Sequence, residues 1–222
     1  MCGIFAVIGS REVSSILIDG LRKLEYRGYD SAGIATIDNS NNDQIEKLNI
    51  IKSKGKLINL SNLIKEKPPK GYVGIGHTRW ATHGKPNERN SHPHLDSSAQ
   101  IAVVQNGIIE NYRDLSKSLK LKGIKFTSET DTEIIPHLIG LELEQSLANG
   151  LSPNGQTLLM AVQKVLTLLE GTYAIAVIWS KAPNALVVAS GQAPLVLGFG
   201  EGEFFCASDI PALAEFTRTF LP

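Results

Sequence analysis

The chain opens on MCGIFAVI at positions 1–8, an apolar run that predicts a buried strand. If Met1 is removed, Cys2 carries a thiol beside a free α-amino group. An amine with a pKa of about 7.7 to 8.0 can take the proton of a thiol with a pKa of about 8.5, so one residue would combine nucleophile and base. The run alone leaves two interpretations open, a small buried strand residue or an N-terminal nucleophile.

Composition and charge narrow the class of protein. The 222 residues are 42% hydrophobic and 20% charged, with 22 Lys plus Arg against 22 Asp plus Glu, which is typical of one globular domain. Balanced charge gives no basic face for nucleic acid, and no apolar run is long enough to cross a membrane. Cys2 and Cys206 make no disulfide framework, and no signal peptide is visible. We therefore expect a cytoplasmic protein that binds a small molecule of mixed charge.

Strand patterns lie at both ends of the chain, with helical patterns between them. The period of the apolar residues predicts helices near 13–24, 57–64, 112–121, 131–147 and 156–169. It predicts further strands near 33–37, 45–51, 72–77 and 101–105, and a closing meander of strands at 173–179, 185–189, 194–199 and 204–207. Clustered strands on both sides of a helical middle imply an α+β protein whose sheets are covered by helices.

A long polar loop at 78–99 follows one predicted strand, and loops of this length inside a domain tend to be functional. Arg79 at its start can present a planar fork to the carboxylate of an amino-acid substrate. The alternative is a surface arginine in a salt bridge, with Trp80 as core filler. His92 and His94 lack the further ligands of a metal site, so we interpret them as loop residues.

Two further positions in the sequence, Asn106-Gly107 and Asp131, carry polar groups that could bind a substrate. Asn106 offers an amide donor and Gly107 an open backbone N–H, a pair that suits an oxyanion hole but is equally the commonest hairpin turn. Asp131 stands at the front of a predicted helix, where an acid usually caps the helix but could also receive a substrate ammonium group.

These groups occur in five motifs, and together the motifs resemble one family. In order they are CGI (2–4), LEYRGYDSAG (24–33), HTRWATHG (77–84), NGIIEN (106–111) and SETDTE (128–133). The whole chain is similar to the glutaminase domain of the glucosamine-6-phosphate synthases, which are class II glutamine amidotransferases. Other amidotransferases of this class share the Cys-Gly start and the Asn-Gly pair, but not this form of the second and third motifs.

The resemblance implies a role for each matching residue. Cys2 corresponds to the nucleophile that attacks the side-chain amide of L-glutamine and forms a thioester. Asn106 and Gly107 correspond to the oxyanion donors. Arg79 corresponds to the residue that binds the α-carboxylate of glutamine, and Asp131 to the residue that binds its α-ammonium group.

The same resemblance places Trp80, Thr82 and His83 on a loop that closes over the substrate, with Trp80 gating the passage of ammonia. Arg27 belongs to the second motif, but its role cannot be assigned from the sequence. Many relatives have histidine where this chain has Gln105, which removes any role for that ring.

For the fold, the resemblance implies an N-terminal-nucleophile hydrolase: a four-layer sandwich of two mainly antiparallel sheets packed face to face, with helices on both outer sides. Residues 2–222 are expected to form the glutaminase domain without its last strands. The sugar-isomerase domain that binds fructose 6-phosphate in the full synthase has no counterpart here, and a homodimer is expected only at full length. No cofactor and no metal are expected.

Two alternatives to this function stay open. One is a non-catalytic remnant or partner-binding module of the same family, inactive because Met1 persists or because the sheet is incomplete. The other is the glutaminase domain of a different class II amidotransferase.

Overall fold

Two antiparallel sheets form the centre of the computed structural model, which describes residues 2–38, 47–80 and 85–221. The strands in chain order are β1 (Gly3–Ile8), β2 (Ser31–Asp38), β3 (Lys47–Lys54), β4 (Val73–Arg79), β5 (His94–Leu95), β6 (Ile101–Ile109), β7 (Gly171–Trp179), β8 (Val187–Gly191), β9 (Val196–Phe199), β10 (Phe204–Ala207) and β11 (Thr219–Leu221). The α-helices are α1 (Ser14–Arg22), α2 (Leu57–Glu66), α3 (Tyr112–Leu121), α4 (Ile134–Ala148) and α5 (Gly155–Leu166). Short 3₁₀ turns occupy Glu25–Arg27, Glu88–Asn90, Asp131–Glu133 and Ile210–Ala212.

The larger sheet has the strand order β11-β9-β10-β1-β4-β2-β3, and the smaller sheet has the order β5-β6-β7-β8. Every neighbouring pair of these strands is antiparallel. β1 lies near the middle of the larger sheet, between β10 and β4, so the start of the chain is held on both edges.

Alternation along the strands divides the apolar side chains into separate layers. In β1, Phe5 and Val7 pack with α1 and α2, while Ile4 and Ala6 face the smaller sheet. In β6, Ile101 and Val103 likewise pack under α4 and α5, while Ala102 and Val104 face the larger sheet. The result is a helix–sheet–sheet–helix sandwich, which confirms the predicted α+β four-layer fold.

The predicted closing meander is wrong. β7 and β8 pair with each other in the smaller sheet, whereas β9 and β10 belong to the larger sheet, so the chain crosses from one sheet to the other after Gly191. The local pattern identifies each strand, and β9 pairs with β10. The other partner of β10 is β1, about two hundred residues earlier, and that pairing leaves no mark in the neighbouring sequence.

Element bounds differ from the predicted ones by a few residues. The predicted helix at 131–147 divides into the turn Asp131–Glu133 and helix α4, and α5 ends at Leu166 rather than at 169. Residues 45 and 46 of the predicted strand at 45–51 lie outside the described residues, and β3 runs over Lys47–Lys54. No helix in the described ranges is long and apolar enough to cross a membrane.

Candidate functional site

Cys2 lies just before β1, beside the end of β4. The two strands pair with Gly3 opposite Thr78, which brings Cys2 to the residues that follow Thr78. The backbone N–H of Trp80 donates to Sγ of Cys2 over 3.3 Å, and the thiol faces the carbonyl oxygen of Trp80 at 3.6 Å. The sulfur is therefore fixed at the point where the chain leaves β4 for the predicted loop.

Two side chains also hold the backbone of Cys2. Nε of Arg27 and Nδ2 of Asn106 donate to its carbonyl oxygen over 3.1 and 3.2 Å. Arg27 is itself largely buried and forms an ion pair with Asp209 at 3.2 Å. The structure thus gives Arg27, which the sequence left unassigned, a contact with the residue expected to be the nucleophile.

Ser208 and Asp209, directly after β10, support the same end of the sheet, although no motif in the sequence predicts a role for them. Oγ of Ser208 accepts a hydrogen bond from Ile4 N over 3.1 Å, and Ser208 N donates to Ile4 O over 3.0 Å. Asp209 accepts hydrogen bonds from Arg27 and from the hydroxyl of Tyr26. The sequence around Ser208 and Asp209 does not indicate that they support this end of the sheet, because the residues to which they are hydrogen-bonded lie about two hundred residues away.

The second motif also requires close packing against the end of β4. A Cβ on Gly28 would lie 2.8 Å from the carbonyl carbon of Arg79 and 2.9 Å from Trp80 N. Only glycine allows the segment with Arg27 to approach this backbone so closely.

Asn106 and Gly107 lie inside β6, where they pair with Ala174 and Tyr173 of β7. The hairpin-turn interpretation of this pair is therefore wrong. Gly107 has a φ of 105°, and a Cβ there would lie 2.0 Å from the carbonyl oxygen of Thr172. The glycine is required by an unusual strand conformation, which produces the same sequence signal as a turn.

The backbone N–H groups on either side of Asn106 and Gly107 donate hydrogen bonds to side chains. Gln105 N donates to Nδ1 of His92 over 3.2 Å, and Ile109 N donates to Oδ2 of Asp131 over 2.8 Å. The N–H of Gly107 lies between these two donors in the sequence, and it donates to no side chain in the described ranges. Asp131 is thus attached to β6, and the N-cap position of the turn that it begins is occupied by Thr130, whose side chain makes no cap hydrogen bond.

Arg79 and Trp80 do not fit the alternative interpretation either. Arg79 ends β4 and is 3% exposed, so it is not a surface arginine. Trp80 is 48% exposed and meets Tyr29 edge-on, with ring centroids 5.5 Å apart, so it does not fill the core. Thr82 and His83, the other two residues expected on the closing loop, lie outside the described residues.

The two thiols of the chain differ in environment. Burial raises the pKa of the Cys2 thiol, while the N–H of Trp80 and the charge of Arg79 act in the opposite direction. Burial alone raises the pKa of Cys206 to about 12, because that thiol lies inside β10 between the sheets. Cys2 therefore has groups that favour its thiolate, and Cys206 has none.

Three buried histidines lie next to one another beside Asn106. The ring of His77 stacks on that of His92 with centroids 4.1 Å apart, and His94 meets His92 edge-on at 4.8 Å. Burial lowers the pKa of His77 to about 3, and it lowers the pKa of His92 and His94 well below the ordinary value. His92 and His94 are thus buried side chains that pack beside the candidate site, and they are more than the simple loop residues that the sequence predicted.

The cluster joins the two sides of the site. Nε2 of His94 lies 2.9 Å from Oγ1 of Thr130, and Nε2 of His92 lies 3.3 Å from Oγ1 of Thr132. These threonines flank Asp131, so the histidines connect β6 to the turn that carries this carboxylate. In the part of the chain that the structure describes, no group of three or more His, Cys, Asp or Glu side chains could hold a metal ion.

Comparison with known proteins agrees with this geometry. The family model described as a glutamine amidotransferase domain matches residues 77–215. A glutamine–fructose-6-phosphate aminotransferase (isomerizing) of Thermosynechococcus vestitus is 54% identical over 222 residues, which are 100% of this chain and 34% of that protein. Its counterpart in Synechocystis is 53% identical over 221 residues, with the same two shares. The chain therefore spans about a third of the length of these curated relatives.

Among solved structures, the glutamine phosphoribosylpyrophosphate amidotransferase of B. subtilis, complexed with ADP and GMP, matches with a TM-score of 0.80. The two chains are 27% identical, and the match covers 99% of this chain and 44% of the other. The likeness extends over the whole sandwich described above.

The buried histidines predict a pH-dependent stability. Because the fold lowers their pKa, the unfolded chain binds more protons below pH about 6.5, and the free energy of unfolding decreases there. Between pH 6.5 and 5.5 we expect a loss of about 1 kcal/mol for each of His77, His92 and His94, measured by denaturant titration.

In the control variant His94→Gln, one titrating ring is gone while a polar group remains near Thr130, so the loss should shrink by about a third. A free energy of unfolding that stays constant over this range would contradict the account.

Proposed function

The chain belongs to the family of glutamine amidotransferase domains, and we propose that it hydrolyses the side-chain amide of L-glutamine through a thioester on Cys2. The observation that carries this proposal is the meeting of a fixed thiol with the Asn106 amide, which reaches the carbonyl of the same cysteine at 3.2 Å. A nucleophile beside preorganised hydrogen-bond donors is the arrangement that acyl transfer requires.

The first step needs a base, because burial keeps the Cys2 thiol protonated. Removal of Met1 would leave the α-amine of Cys2 beside its own thiol. The thiolate then attacks the amide carbon, and the amine passes the proton to the departing nitrogen, which leaves as ammonia. Water hydrolyses the resulting γ-glutamyl thioester to glutamate and restores the thiol.

Asn106 and Gly107 are the proposed oxyanion donors. N–H groups alternate between the two edges of a strand, and those of Gln105 and Ile109 point away from β7 to side-chain acceptors. Gly107 lies between these two donors in the sequence and directly after Asn106, so its N–H is proposed as the second donor beside the Asn106 amide. Loss of one such donor typically lowers kcat by about 10²- to 10³-fold.

Arg79 and Asp131 would bind the two charged ends of glutamine. Arg79 is buried at the end of β4, where a guanidinium can form paired hydrogen bonds with the α-carboxylate. Asp131 is buried and attached to β6 two residues after Gly107, where it can meet the α-ammonium group. Trp80, Thr82 and His83 would cover the substrate, a role that rests on the family resemblance.

The proposed destination of the ammonia is supported by the relatives. Identity of 53 to 54% to proteins named glutamine–fructose-6-phosphate aminotransferase is far above the 27% to the phosphoribosylpyrophosphate amidotransferase. We therefore propose that ammonia is passed to fructose 6-phosphate in a sugar-isomerase domain, as half of glucosamine 6-phosphate synthesis, by a protein that is dimeric at full length. A cytoplasmic location is proposed because both Cys2 and Cys206 are free thiols.

The roles of the two cysteines can be separated by substitution. Cys2→Ala should abolish the release of ammonia and glutamate from glutamine, because no other thiol stands at the site. Cys206→Ala, the matched control, should keep the rate within about 2-fold, since that thiol is buried between the sheets and held protonated. Equal release by Cys2→Ala and the unaltered chain would remove Cys2 from the mechanism.

Arg79→Lys tests how the substrate carboxylate is bound. Lysine keeps the charge but loses the planar fork, which should cost about 1.5 to 3 kcal/mol, or roughly 10- to 100-fold in kcat/KM for glutamine. The control is Arg22→Lys, on the exposed end of α1, which should leave kcat/KM unchanged. An unchanged kcat/KM in Arg79→Lys would place the substrate carboxylate elsewhere.

A further inference from the structure

We propose that His77 is a positioning residue, whose Nε2–H holds the side-chain amide of Asn106 so that its NH₂ group faces the reacting carbon. This inference rests on the proposed function, since it assigns Asn106 the oxyanion-donor role. It concerns a buried side chain of β4 that no substrate reaches.

The hydrogen bond between these two residues has only one possible direction. Nε2 of His77 lies 3.1 Å from Oδ1 of Asn106, and an amide oxygen can only accept. Nε2 must therefore carry the proton, and Nδ1 must be bare when the ring is neutral. With Oδ1 held in this way, the NH₂ end of Asn106 is directed to Cys2, where Nδ2 donates to the carbonyl oxygen over 3.2 Å.

The surroundings of His77 keep the ring in this state. Both His77 and Asn106 are buried, and Nδ1 of His77 meets the geometry of a hydrogen bond with no group in the described part of the chain, although the backbone of Gln105 lies close to the ring. A proton on Nδ1 would place an unpaired N–H or a positive charge in this buried position, which is unfavourable. Burial lowers the pKa of His77 to about 3, so the neutral ring persists over the working pH range.

A closed set of hydrogen bonds fixes the ring on which His77 stacks. Gln105 N donates to Nδ1 of His92, so Nδ1 accepts and Nε2 of His92 carries the proton toward Oγ1 of Thr132 at 3.3 Å. The hydroxyl of Thr132 in turn donates to Oε1 of Gln105 over 2.5 Å. Gln105, directly before Asn106, therefore completes this set of hydrogen bonds.

Without the proton on Nε2 of His77, the amide of Asn106 can rotate and present its oxygen to the developing negative charge. Such a reversal replaces an attractive contact by a repulsive one in the transition state, whereas binding of the two charged ends of glutamine is untouched. We expect kcat to fall by about 10- to 100-fold while KM changes by less than about 3-fold.

Two variants of His77 differ in where they place a donor. In His77→Gln the side-chain amide nitrogen reaches the position of Nε2, so most of kcat should be retained. In His77→Asn the nitrogen reaches only the position of Nδ1, so kcat should fall as stated. His137→Gln, which alters another buried histidine that does not contact Asn106, is the control for folding and should keep kcat.

A double-mutant cycle shows whether His77 acts through Asn106. In the Asn106→Ala background, His77→Asn should cause no further loss of single-turnover rate, since the amide to be oriented is gone. A further loss of 10-fold or more in that background would overturn the proposal, because it would mean that His77 acts by another route.

Nitrogen-15 NMR of the His77 ring gives a readout that does not depend on activity. The proposal requires a protonated Nε2 and a bare Nδ1 between pH 5 and pH 8, and a ring protonated at Nδ1 would overturn it. If the unaltered chain releases no ammonia from glutamine, the proposed function fails, and the NMR result alone decides whether His77 orients Asn106.

Discussion

The carbonyl oxygen of Cys2 accepts two hydrogen bonds, from Arg27 and from Asn106, and the rest of the site depends on this contact. Once Met1 is removed, Cys2 would be tethered on one side only, so its position would have to come from non-covalent contacts. Here the donors arrive from different layers: the turn after α1 supplies the guanidinium, and the smaller sheet supplies the amide. The Trp80 backbone then fixes the sulfur itself. The proposed nucleophile is thus placed only when both sheets are packed together, which links the fold directly to the proposed chemistry.

Burial in the sandwich explains why uncharged imidazole rings support this site. Three adjacent charged rings would be unstable between two sheets, and the fold lowers the pKa of each one. A neutral ring has one donor and one acceptor, so it can give direction to a hydrogen bond in a way that a charged ring cannot. In both His77 and His92, Nε2 carries the proton and donates a hydrogen bond, while Nδ1 carries none. The same rings connect Asn106 on β6 to the turn that carries Asp131, so the two ends of the proposed substrate site share one rigid support.

The sequence predicted the layers of the fold and the positions proposed to carry the chemistry, because both leave local marks. Alternating apolar residues identify the strands, and the motifs locate Cys2, Arg79, Asn106, Gly107 and Asp131. Two kinds of feature had no local mark. The exchange of sheets between β8 and β9, and the contacts of Ser208 and Asp209, depend on pairings between distant parts of the chain. The Asn-Gly pair misled in a different way, since a glycine needed for positive φ inside a strand looks the same as one needed in a turn.

We propose that one sulfur, Cys2 Sγ, attacks the substrate after Met1 has been removed. Labelling with a glutamine-mimicking electrophile tests this role, with intact-mass analysis and identification of the modified residue in the same sample. We expect one label per chain, on Cys2 at a free N-terminus, with Cys206 unmodified and glutamine protecting against the label. A label on any other residue, or full labelling and full turnover in chains that keep Met1, would contradict it.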